Sequence, residues 1–201
     1  MPDMARDPVK TARRATLRAR RRDLAAARDT AQDDHALAAH VRTLVDGLAL
    51  RPGSVVTSYA AIVGEPPTAA VNAFLTAHGI HVLLPITLAD FDLDWYDAAD
   101  ALQRPLGPEA VSAADLVLAP GLAVDRTGTR MGQGGGCYDR VLPRRRAGVP
   151  VIVLLHPGEL VADDEPPLPR ESHDQPVDAV LTAEGVVDLG LSPWRSPPAA
   201  G

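Results

Sequence analysis

Residues 128–140, GTRMGQGGGCYDR, contain five glycines in thirteen positions, together with two arginines and an aspartate. Glycine allows a positive φ and lets a ligand approach the main chain closely, although each glycine raises the entropic cost of ordering a loop. Backbone N–H groups of such a turn, followed by the start of a helix, form a site for phosphate. The stretch matches neither the GxxxxGK[ST] pattern of a Walker loop nor the dinucleotide fingerprint GxGxxG/A. It therefore predicts an anion site of another class, with a tight crossover turn as the alternative.

The N-terminal segment is the second candidate for chemistry. Ten of the twenty basic residues lie between positions 6 and 42, and Lys10 is the only lysine in the chain, against nineteen arginines. A compact ammonium and a planar guanidinium are not interchangeable at a phosphate oxygen, so Lys10 is a candidate phosphate ligand, with an ordinary exposed charge as the alternative. The segment lacks aromatic residues among its arginines, which favours a solvated or ligand-facing helix over a nucleic-acid site.

The whole-chain composition limits the class of protein. With 201 residues, 46% of them hydrophobic and 23% charged, the chain is predicted to form one domain over 1–201, with an ordered core over about 7–190 and an irregular tail over 192–201. Its longest apolar runs are shorter than the roughly 20 residues that cross a bilayer. There is no secretory signal pattern, and a single cysteine forms no internal disulfide. A cytoplasmic protein without membrane contact is expected.

Helix-like and strand-like segments alternate along the chain. Composition and periodicity predict helices over 7–29, 31–50, 67–78 and 138–146, the last broken by Pro143. Short apolar runs predict strands over 55–60, 80–84, 115–119, 149–155 and 177–181. This alternation indicates an α/β fold with a mostly parallel sheet covered on both faces. The glycine-rich stretch follows a predicted buried strand, and the carboxyl ends of such strands are where α/β sheets bind ligands.

A family resemblance is carried by residues 120–142, PGLAVDRTGTRMGQGGGCYDRVL. This segment is similar to the signature of the 5-formyltetrahydrofolate cyclo-ligase family, also called methenyltetrahydrofolate synthetase, whose members read PGLAFD-x-x-G-x-R-L-G-x-G-x-G-Y-Y-D-R. The similarity extends from Lys10 to about Gly185 and includes four further groups of residues: Lys10 with Arg14; Tyr59, Gly64, Glu65 and Thr68; Leu84 with Pro85; and the closing PxExHDxxVDxVLT over 169–182.

The resemblance implies an enzyme of one-carbon folate metabolism that uses ATP and magnesium to cyclise 5-formyltetrahydrofolate to 5,10-methenyltetrahydrofolate. It implies a three-layer α/β/α sandwich like that of the sugar-phosphate isomerases and coenzyme A transferases, and a monomer that binds small molecules and no nucleic acid. Lys10 and Arg130 would be catalytic, while Tyr59, Glu65 and Arg130 would bind folate. Asp139 and Asp174 would bind magnesium. ATP would contact Lys10, Arg14, Arg130, Met131, Gly132, Gln133, Gly134, Gly135, Gly136, Cys137 and Tyr138.

The chain departs from the family signature at Val124, Met131 and Cys137. The first two are apolar replacements that a packed site tolerates, and Cys137 is interpreted as a packing residue rather than a catalytic thiol. Trp95 is interpreted as a packed aromatic, and His173 as either a family position or a turn cap. The alternatives to the enzyme are a binding protein without turnover, a nucleic-acid-associated protein, and a relative acting on another formylated or carboxylated molecule.

Overall fold

The computed structural model describes residues 7–172 and 174–191. The predictions for His173 and for the tail over 192–201 lie outside the described residues. Among the described residues, no helix is both long enough and apolar enough to span a membrane.

Helices α1 and α2 begin where the sequence provides caps. Helix α1 (Pro8–Ala26) starts with Pro8 after Asp7, whose carboxylate accepts a hydrogen bond from the backbone N–H of Val9. Asp29 caps helix α2 (Thr30–Gly47) in the same manner. Helices α3 (Ala69–Ala77) and α4 (Cys137–Val141) are shorter. Aspartate before a first helical turn satisfies N–H groups that have no partner inside the helix, so local sequence decides where these helices start.

A seven-stranded sheet forms the centre of the molecule, and its strands lie in the spatial order β3-β2-β1-β4-β7-β8-β9. The five central strands are parallel, whereas the two edge strands are antiparallel to their neighbours. Strands β5 and β6 form a separate antiparallel pair. The strand bounds are β1 Val55–Thr57, β2 His81–Thr87, β3 Leu93–Asp97, β4 Leu116–Pro120, β5 Ala123–Val124, β6 Arg130–Met131, β7 Val151–Leu154, β8 Ala179–Thr182 and β9 Gly185–Asp188.

Two cores cover the two faces of the sheet, as expected when parallel strands are buried on both sides. On one face, α2 and α3 pack against strand residues such as Val56 and Ile152. On the other face, α4 and a short 3-10 helix (Pro108–Ala113) pack against residues such as Val117 and Val153. The predicted α/β architecture with a mostly parallel sheet is confirmed. The helical layer formed by α4 and the 3-10 helix is the thinner of the two.

Several predicted boundaries are wrong. The strand predicted over 55–60 ends at Thr57, because the carbonyl of Tyr59 accepts hydrogen bonds from the side chains of Thr68 and Asn72 and leaves the ladder. The helix predicted over 138–146 begins at Cys137 and ends at Val141, where Pro143 lacks the N–H that α-helical continuation needs and a 3-10 turn (Leu142–Arg144) follows.

Candidate active site

The candidate site lies at the carboxyl ends of β1 and β4. From β1 the chain continues outward to β2 and β3, and from β4 it continues in the opposite direction to β7, β8 and β9. The gap between β1 and β4 is therefore a topological switch point, where open α/β sheets bind ligands. The loop after β1 carries Tyr59 and Glu65, and the loop after β4 carries the glycine-rich stretch. The fold thus brings together two segments of the predicted site that are distant in sequence.

Gly136 and Gly132 show why side chains are excluded from the glycine-rich stretch. Gly136 has a φ of 70° and lies immediately before α4, a left-handed conformation that side chains disfavour. At Gly132, an added Cβ would lie 2.8 Å from Nη1 of Arg130, so a side chain there would displace the guanidinium. Helix α4 has only five residues. The loop backbone and its arginine, more than a helix terminus, therefore define this part of the site.

Arg130 lies beneath the loop as a buried cation whose side chain is 4% exposed. Its Nη2 donates to Oδ1 of Asp139 at 2.8 Å, and its guanidinium carbon lies 5.5 Å from the centre of the Tyr138 ring. Its buried Nε has no hydrogen-bond partner within the described part of the chain. A buried N–H of a charged group without a partner is costly, so Arg130 fits a role as a donor to an anion.

Helix α1 crosses this loop instead of covering the sheet. Leu17 packs against Leu122, Ala123 and Met131 of the β5–β6 region, so the helix lies over the hairpin that leads into the glycine loop. Arg18 donates to the side-chain oxygen of Gln133 at 3.0 Å and to its main-chain oxygen at 2.6 Å. This packing explains how a basic helix at the start of the chain reaches a loop more than a hundred positions later.

Arg14 is a second α1 arginine that lies against the glycine loop. A Cβ built on Gly134 would lie 3.5 Å from its Nε, and this Nε is buried without a hydrogen-bond partner among the residues described. Gly134 has a φ of 104°, a backbone conformation that disfavours any side chain, so the loop leaves this approach of Arg14 open. Arg14 and Arg130 therefore both bring cations to the loop, as the sequence predicted.

Lys10 is buried in a charge cluster and is only 6% exposed. Its Nζ donates to Oδ2 of Asp174 at 2.6 Å and to Oε2 of Glu171 at 2.8 Å. Burial by itself would lower the pKa of the ammonium, but the hydrogen bonds to the two carboxylates more than offset burial and raise the pKa above its usual range. Lys10 is therefore charged at neutral pH, and it ties the segment that contains Glu171 and Asp174 to α1.

The two predicted magnesium ligands each contact a cation. Asp174 binds Lys10 and Asp139 binds Arg130. Within 7–172 and 174–191, no three His, Cys, Asp or Glu side chains are grouped closely enough to hold a metal ion. These carboxylates do not form a metal cage by themselves. They fit only an ion that arrives with phosphate oxygens and keeps several waters, which is the usual behaviour of magnesium.

The loop after β1 presents Glu65 next to two buried tyrosines. Oε2 of Glu65 accepts a hydrogen bond from the backbone N–H of Ile62 at 3.2 Å, and the hydroxyl of Tyr59 donates to the carbonyl of Pro66 at 3.3 Å. Burial raises the pKa of Glu65 above its usual range. The pKa of Tyr138 is also raised by burial, and this ring interacts electrostatically with both Arg130 and Glu65. Tyr138, at the end of the glycine loop, is therefore within electrostatic reach of the Glu65 carboxyl.

Cys137 and Trp95 have the packing roles expected from the sequence. Burial raises the pKa of the Cys137 thiol, so at neutral pH the sulfur is protonated and a poor nucleophile. Trp95 is fully buried in β3 and packs in the core of the α4 face. Neither residue requires a role in chemistry.

Sequence reasoning missed Arg21, Glu159 and His156. Arg21 and Glu159 form a buried ion pair with two hydrogen bonds of 2.6 Å, and Nη2 of Arg21 also donates to the carbonyl of Gly121 at 2.5 Å. Lys10, Arg14, Leu17 and Arg21 follow a helical spacing of four, three and four residues. This spacing could have indicated that Arg21 lies on the same inward face.

The chain is similar to known proteins of one family. The sequence model described as the 5-formyltetrahydrofolate cyclo-ligase family matches residues 6–183. A 5-formyltetrahydrofolate cyclo-ligase from Mycolicibacterium smegmatis is 36% identical over 155 residues, which cover 68% of this chain and 78% of that protein.

Two solved structures share the fold. A 5,10-methenyltetrahydrofolate synthetase from Mycoplasma pneumoniae aligns with a TM-score of 0.67 at 20% identity, covering 87% of this chain and 99% of that one. The synthetase from Aquifex aeolicus aligns with a TM-score of 0.62 at 21% identity, covering 94% and 95%. On the match over residues 6–183 and the identity to the mycobacterial enzyme, this chain belongs to the 5-formyltetrahydrofolate cyclo-ligase family.

Proposed function

We propose that this chain catalyses the ATP-dependent cyclisation of 5-formyltetrahydrofolate to 5,10-methenyltetrahydrofolate, with release of ADP and phosphate. The family implies an enzyme that uses ATP and acts on folate. The observation that carries the proposal is the placement of a glycine loop with the buried Arg130 and the half-buried Arg14 within electrostatic reach of a half-buried carboxylate, Glu65, at the β1–β4 switch point. One part of this site suits a triphosphate, and the other suits a heterocycle rich in hydrogen-bond donors.

The reaction needs activation because a formamide oxygen is a poor leaving group. Transfer of the γ-phosphoryl group of ATP to that oxygen breaks the phosphoanhydride bond, releases ADP and produces a phosphorylated formyl group. N10 of the folate then attacks the activated carbon, and phosphate departs with the former formyl oxygen. Catalysis of phosphoryl transfer consists mainly of positioning and charge neutralisation, which requires fixed cations more than a nucleophile.

The residues at the glycine loop supply these fixed charges. Arg130 offers a rigid guanidinium that binds phosphoryl oxygens through two N–H groups, and its burial keeps it from reorganising. Arg14 adds a second guanidinium from α1 beside Gly134. The ammonium of Lys10 adds positive potential from the same helix face while it binds Asp174 and Glu171. The proposed ATP contacts therefore come from both α1 and the glycine loop. The loop contacts are Met131, Gly132, Gln133, Gly135, Gly136 and Cys137.

The folate would be oriented by the loop after β1. The pterin ring presents an exocyclic amine and a ring N–H on one edge, and an ionised carboxylate accepts hydrogen bonds from both. Glu65 is the half-buried carboxylate in that loop, and Tyr59 packs behind it as a fully buried ring. This arrangement supports Glu65 as the residue that recognises the pterin edge, with Tyr59 as its packing support.

The affinity for folate should depend on pH through Glu65. Because burial raises the pKa of Glu65 above its usual value of 4.5, the carboxylate needed for pterin binding is lost at a higher pH than for an exposed glutamate. We expect the KM for folate to rise as the pH falls through this raised pKa. The Glu65→Gln variant should have a higher KM that no longer follows this titration, since a carboxamide does not titrate in this pH range. Steady-state assays of both proteins from pH 4.5 to 8 check this, and parallel pH profiles would contradict the assignment.

The pKa of Glu65 also sets the sign of its effect on stability. A carboxyl whose pKa is raised by folding binds its proton more tightly in the folded state than in the unfolded state. Its contribution to stability is therefore greatest below the unfolded pKa and declines as the pH rises toward the folded pKa. Glu65 therefore stabilises the fold least at the pH values where its ionised form binds the pterin. Such an opposition between stability and binding is typical of functional carboxylates.

We propose that magnesium enters together with ATP, with Asp139 and Asp174 as the candidate protein carboxylates. Magnesium bound to phosphate oxygens would neutralise their charge and favour attack on the γ-phosphorus. Asp139 lies beside Arg130, so it can hold both the guanidinium and a water of the hydrated ion near the same phosphates. Asp174, which already binds Lys10, would act at longer range.

Asp139→Asn is expected to raise the magnesium concentration needed for half-maximal rate by about tenfold, since one carboxylate contact to a hydrated ion or its water is worth about 1.5 kcal/mol. Titrating magnesium at saturating ATP and folate measures this. Asp163→Asn is the matched control, because that aspartate is exposed and pairs with Arg126 away from the loop. The same magnesium dependence for Asp139→Asn and wild type would remove Asp139 from the metal site.

The direct test of the reaction mixes purified protein with 5-formyltetrahydrofolate, magnesium and ATP and follows the near-ultraviolet absorbance of the methenyl product. An ATP-free reaction is the control. ATP-dependent appearance of the chromophore supports the proposal. Binding of both ligands without product would instead support a binding protein that has the fold but no turnover.

We further propose that the enzyme works as a single-domain monomer on small molecules and does not use α1 to bind nucleic acid. Three of the six arginines of α1 pair with carboxylates of the same chain: Arg13 and Arg20 with Glu165, and Arg21 with Glu159. Two more, Arg14 and Arg18, lie against the glycine loop, so most of the positive charge on this helix is directed at groups of the same chain. A DNA-binding titration at low salt and gel filtration test the two parts of this proposal.

A further inference from the structure

His156 lies outside the segments that bind ATP and folate in the proposed function, which are α1, the glycine loop and the loop after β1. It follows β7 at the carboxyl end of the sheet and is 5% exposed. Its Nε2 lies 3.1 Å from the carbonyl oxygen of Gly64, ninety-two positions away in sequence. Because a carbonyl only accepts hydrogen bonds, Nε2 must carry the proton and donate. A buried imidazole thus holds the residue that immediately precedes Glu65.

The loop that carries His156 is itself fixed from the other side. The backbone N–H of His156 donates to Oε2 of Glu159 at 2.8 Å, and both oxygens of Glu159 accept hydrogen bonds from Arg21 of α1. The side chains of Arg21 and Glu159 are 6% and 1% exposed, so solvent screens this pair little. A buried guanidinium that binds both carboxylate oxygens holds its partner in one orientation.

These contacts form one continuous connection from α1 to the loop after β1. It runs from Arg21 through Glu159 and His156 to the carbonyl of Gly64, next to Glu65. The charges of Arg21 and Glu159 both act on the Glu65 carboxyl, which places Glu65 within electrostatic reach of the same ion pair. Gly64 has a φ of 87°, so the loop turns at the residue that His156 holds.

We propose that His156 is a positioning residue for folate: its ring N–H fixes the Gly64 carbonyl, while the Arg21–Glu159 ion pair holds its backbone, and together these contacts set where the Glu65 carboxylate meets the pterin edge. This inference rests on the proposed function, because it assigns Glu65 to the folate. His156 acts through the backbone of the loop and contacts no reacting atom. Its removal should therefore affect folate binding and leave phosphoryl transfer nearly intact.

The test compares four proteins: wild type, His156→Ala, His156→Asn and His156→Gln. The amide nitrogen of glutamine can reach the position of Nε2 and donate to Gly64, whereas that of asparagine is shorter and matches the position of Nδ1. His156→Ala and His156→Asn are expected to weaken folate binding about three- to tenfold, the value of one lost hydrogen bond. His156→Gln should restore most of the affinity. The KM for ATP should stay within about twofold of wild type in every variant.

Folate affinity is measured by calorimetry without ATP, and KM values are measured by the methenyl absorbance. Calorimetry keeps the proposed function and the positioning role separable: if wild type binds folate but makes no product, the reaction fails while the His156 series still reports on positioning. Equal folate affinity for wild type and His156→Ala would overturn the inference. So would an equal increase in both KM values, which indicates a general loss of structure. A wild type that does not bind folate would overturn both proposals.

A double-mutant cycle separates positioning of Glu65 from a purely structural role. In a Glu65→Ala background, His156→Ala should weaken folate binding by less than about twofold further, because the carboxylate that it positions is absent. A structural role of His156 predicts the same loss with or without Glu65. Additive losses would therefore contradict the proposal, even if each single variant behaved as expected.

Discussion

Replacing Arg130 with lysine is expected to lower kcat/KM for ATP by about a hundred- to a thousandfold, the usual effect of removing one fixed donor to the charge that develops in a transition state. Lysine keeps the positive charge but loses the planar fork that binds two oxygens at once. The guanidinium also binds Asp139 and packs over Tyr138, and an ammonium cannot reproduce both contacts. Steady-state kinetics at saturating folate and magnesium measure the change, with circular dichroism to verify the fold.

Arg126→Lys is the matched control for this experiment. Arg126 is half-exposed, pairs with Asp163 and lies in the turn between β5 and β6, away from the glycine loop. An exposed ion pair contributes about 0–1 kcal/mol, so this substitution should change neither kcat nor KM measurably. If Arg130→Lys keeps more than half of the wild-type kcat/KM for ATP, Arg130 does not bind the transferred phosphoryl group.

Lys10→Ala is expected to have two effects that the sequence did not distinguish. It should lower kcat/KM for ATP about a hundredfold by removing a fixed charge from the α1 face, and it should lower the free energy of unfolding by about 3 kcal/mol. The second effect follows because the buried Asp174 would lose the Lys10 ammonium, and the repulsion between Asp174 and Glu171 would no longer be offset by that charge. A lysine identified from the sequence alone as a ligand-facing charge would be expected to leave the fold intact.

The double variant Lys10→Ala/Asp174→Asn separates these two effects. Removing the negative charge of Asp174 should recover part of the lost stability, whereas the activity should stay low because the ammonium is still missing. Urea denaturation of the three proteins and their ATP kinetics provide the comparison. Unchanged turnover and KM for ATP in Lys10→Ala would exclude Lys10 from the nucleotide site. Recovery of activity in the double variant would mean that Lys10 acts only through stability.

Patterns among neighbouring residues predicted the α/β layers of the fold and the glycine-loop part of the candidate site. Fully apolar runs such as 151–154 indicated buried parallel strands, because both faces of such strands are covered. The glycines of 132–136 indicated a loop with close backbone approach, and Gly136 has the positive φ that explains one of them. Edge strand β3 was missed because its alternating, partly polar sequence, LDWYD, lacks the continuous apolar run of a central strand.

The amino-acid sequence by itself determined where helices start, which strands are buried, and that Arg130 and the glycines form one loop, because these features depend on neighbours within a few positions. Only the tertiary structure decided that α1 lies across the β5–β6 hairpin, that Lys10 binds Asp174, and that His156 holds Gly64. Those partners are 92 or more positions apart. Contacts of this kind depend on the order of strands in the sheet, since strand order fixes which loops meet at its carboxyl edge, and no local pattern in the chain encodes that order.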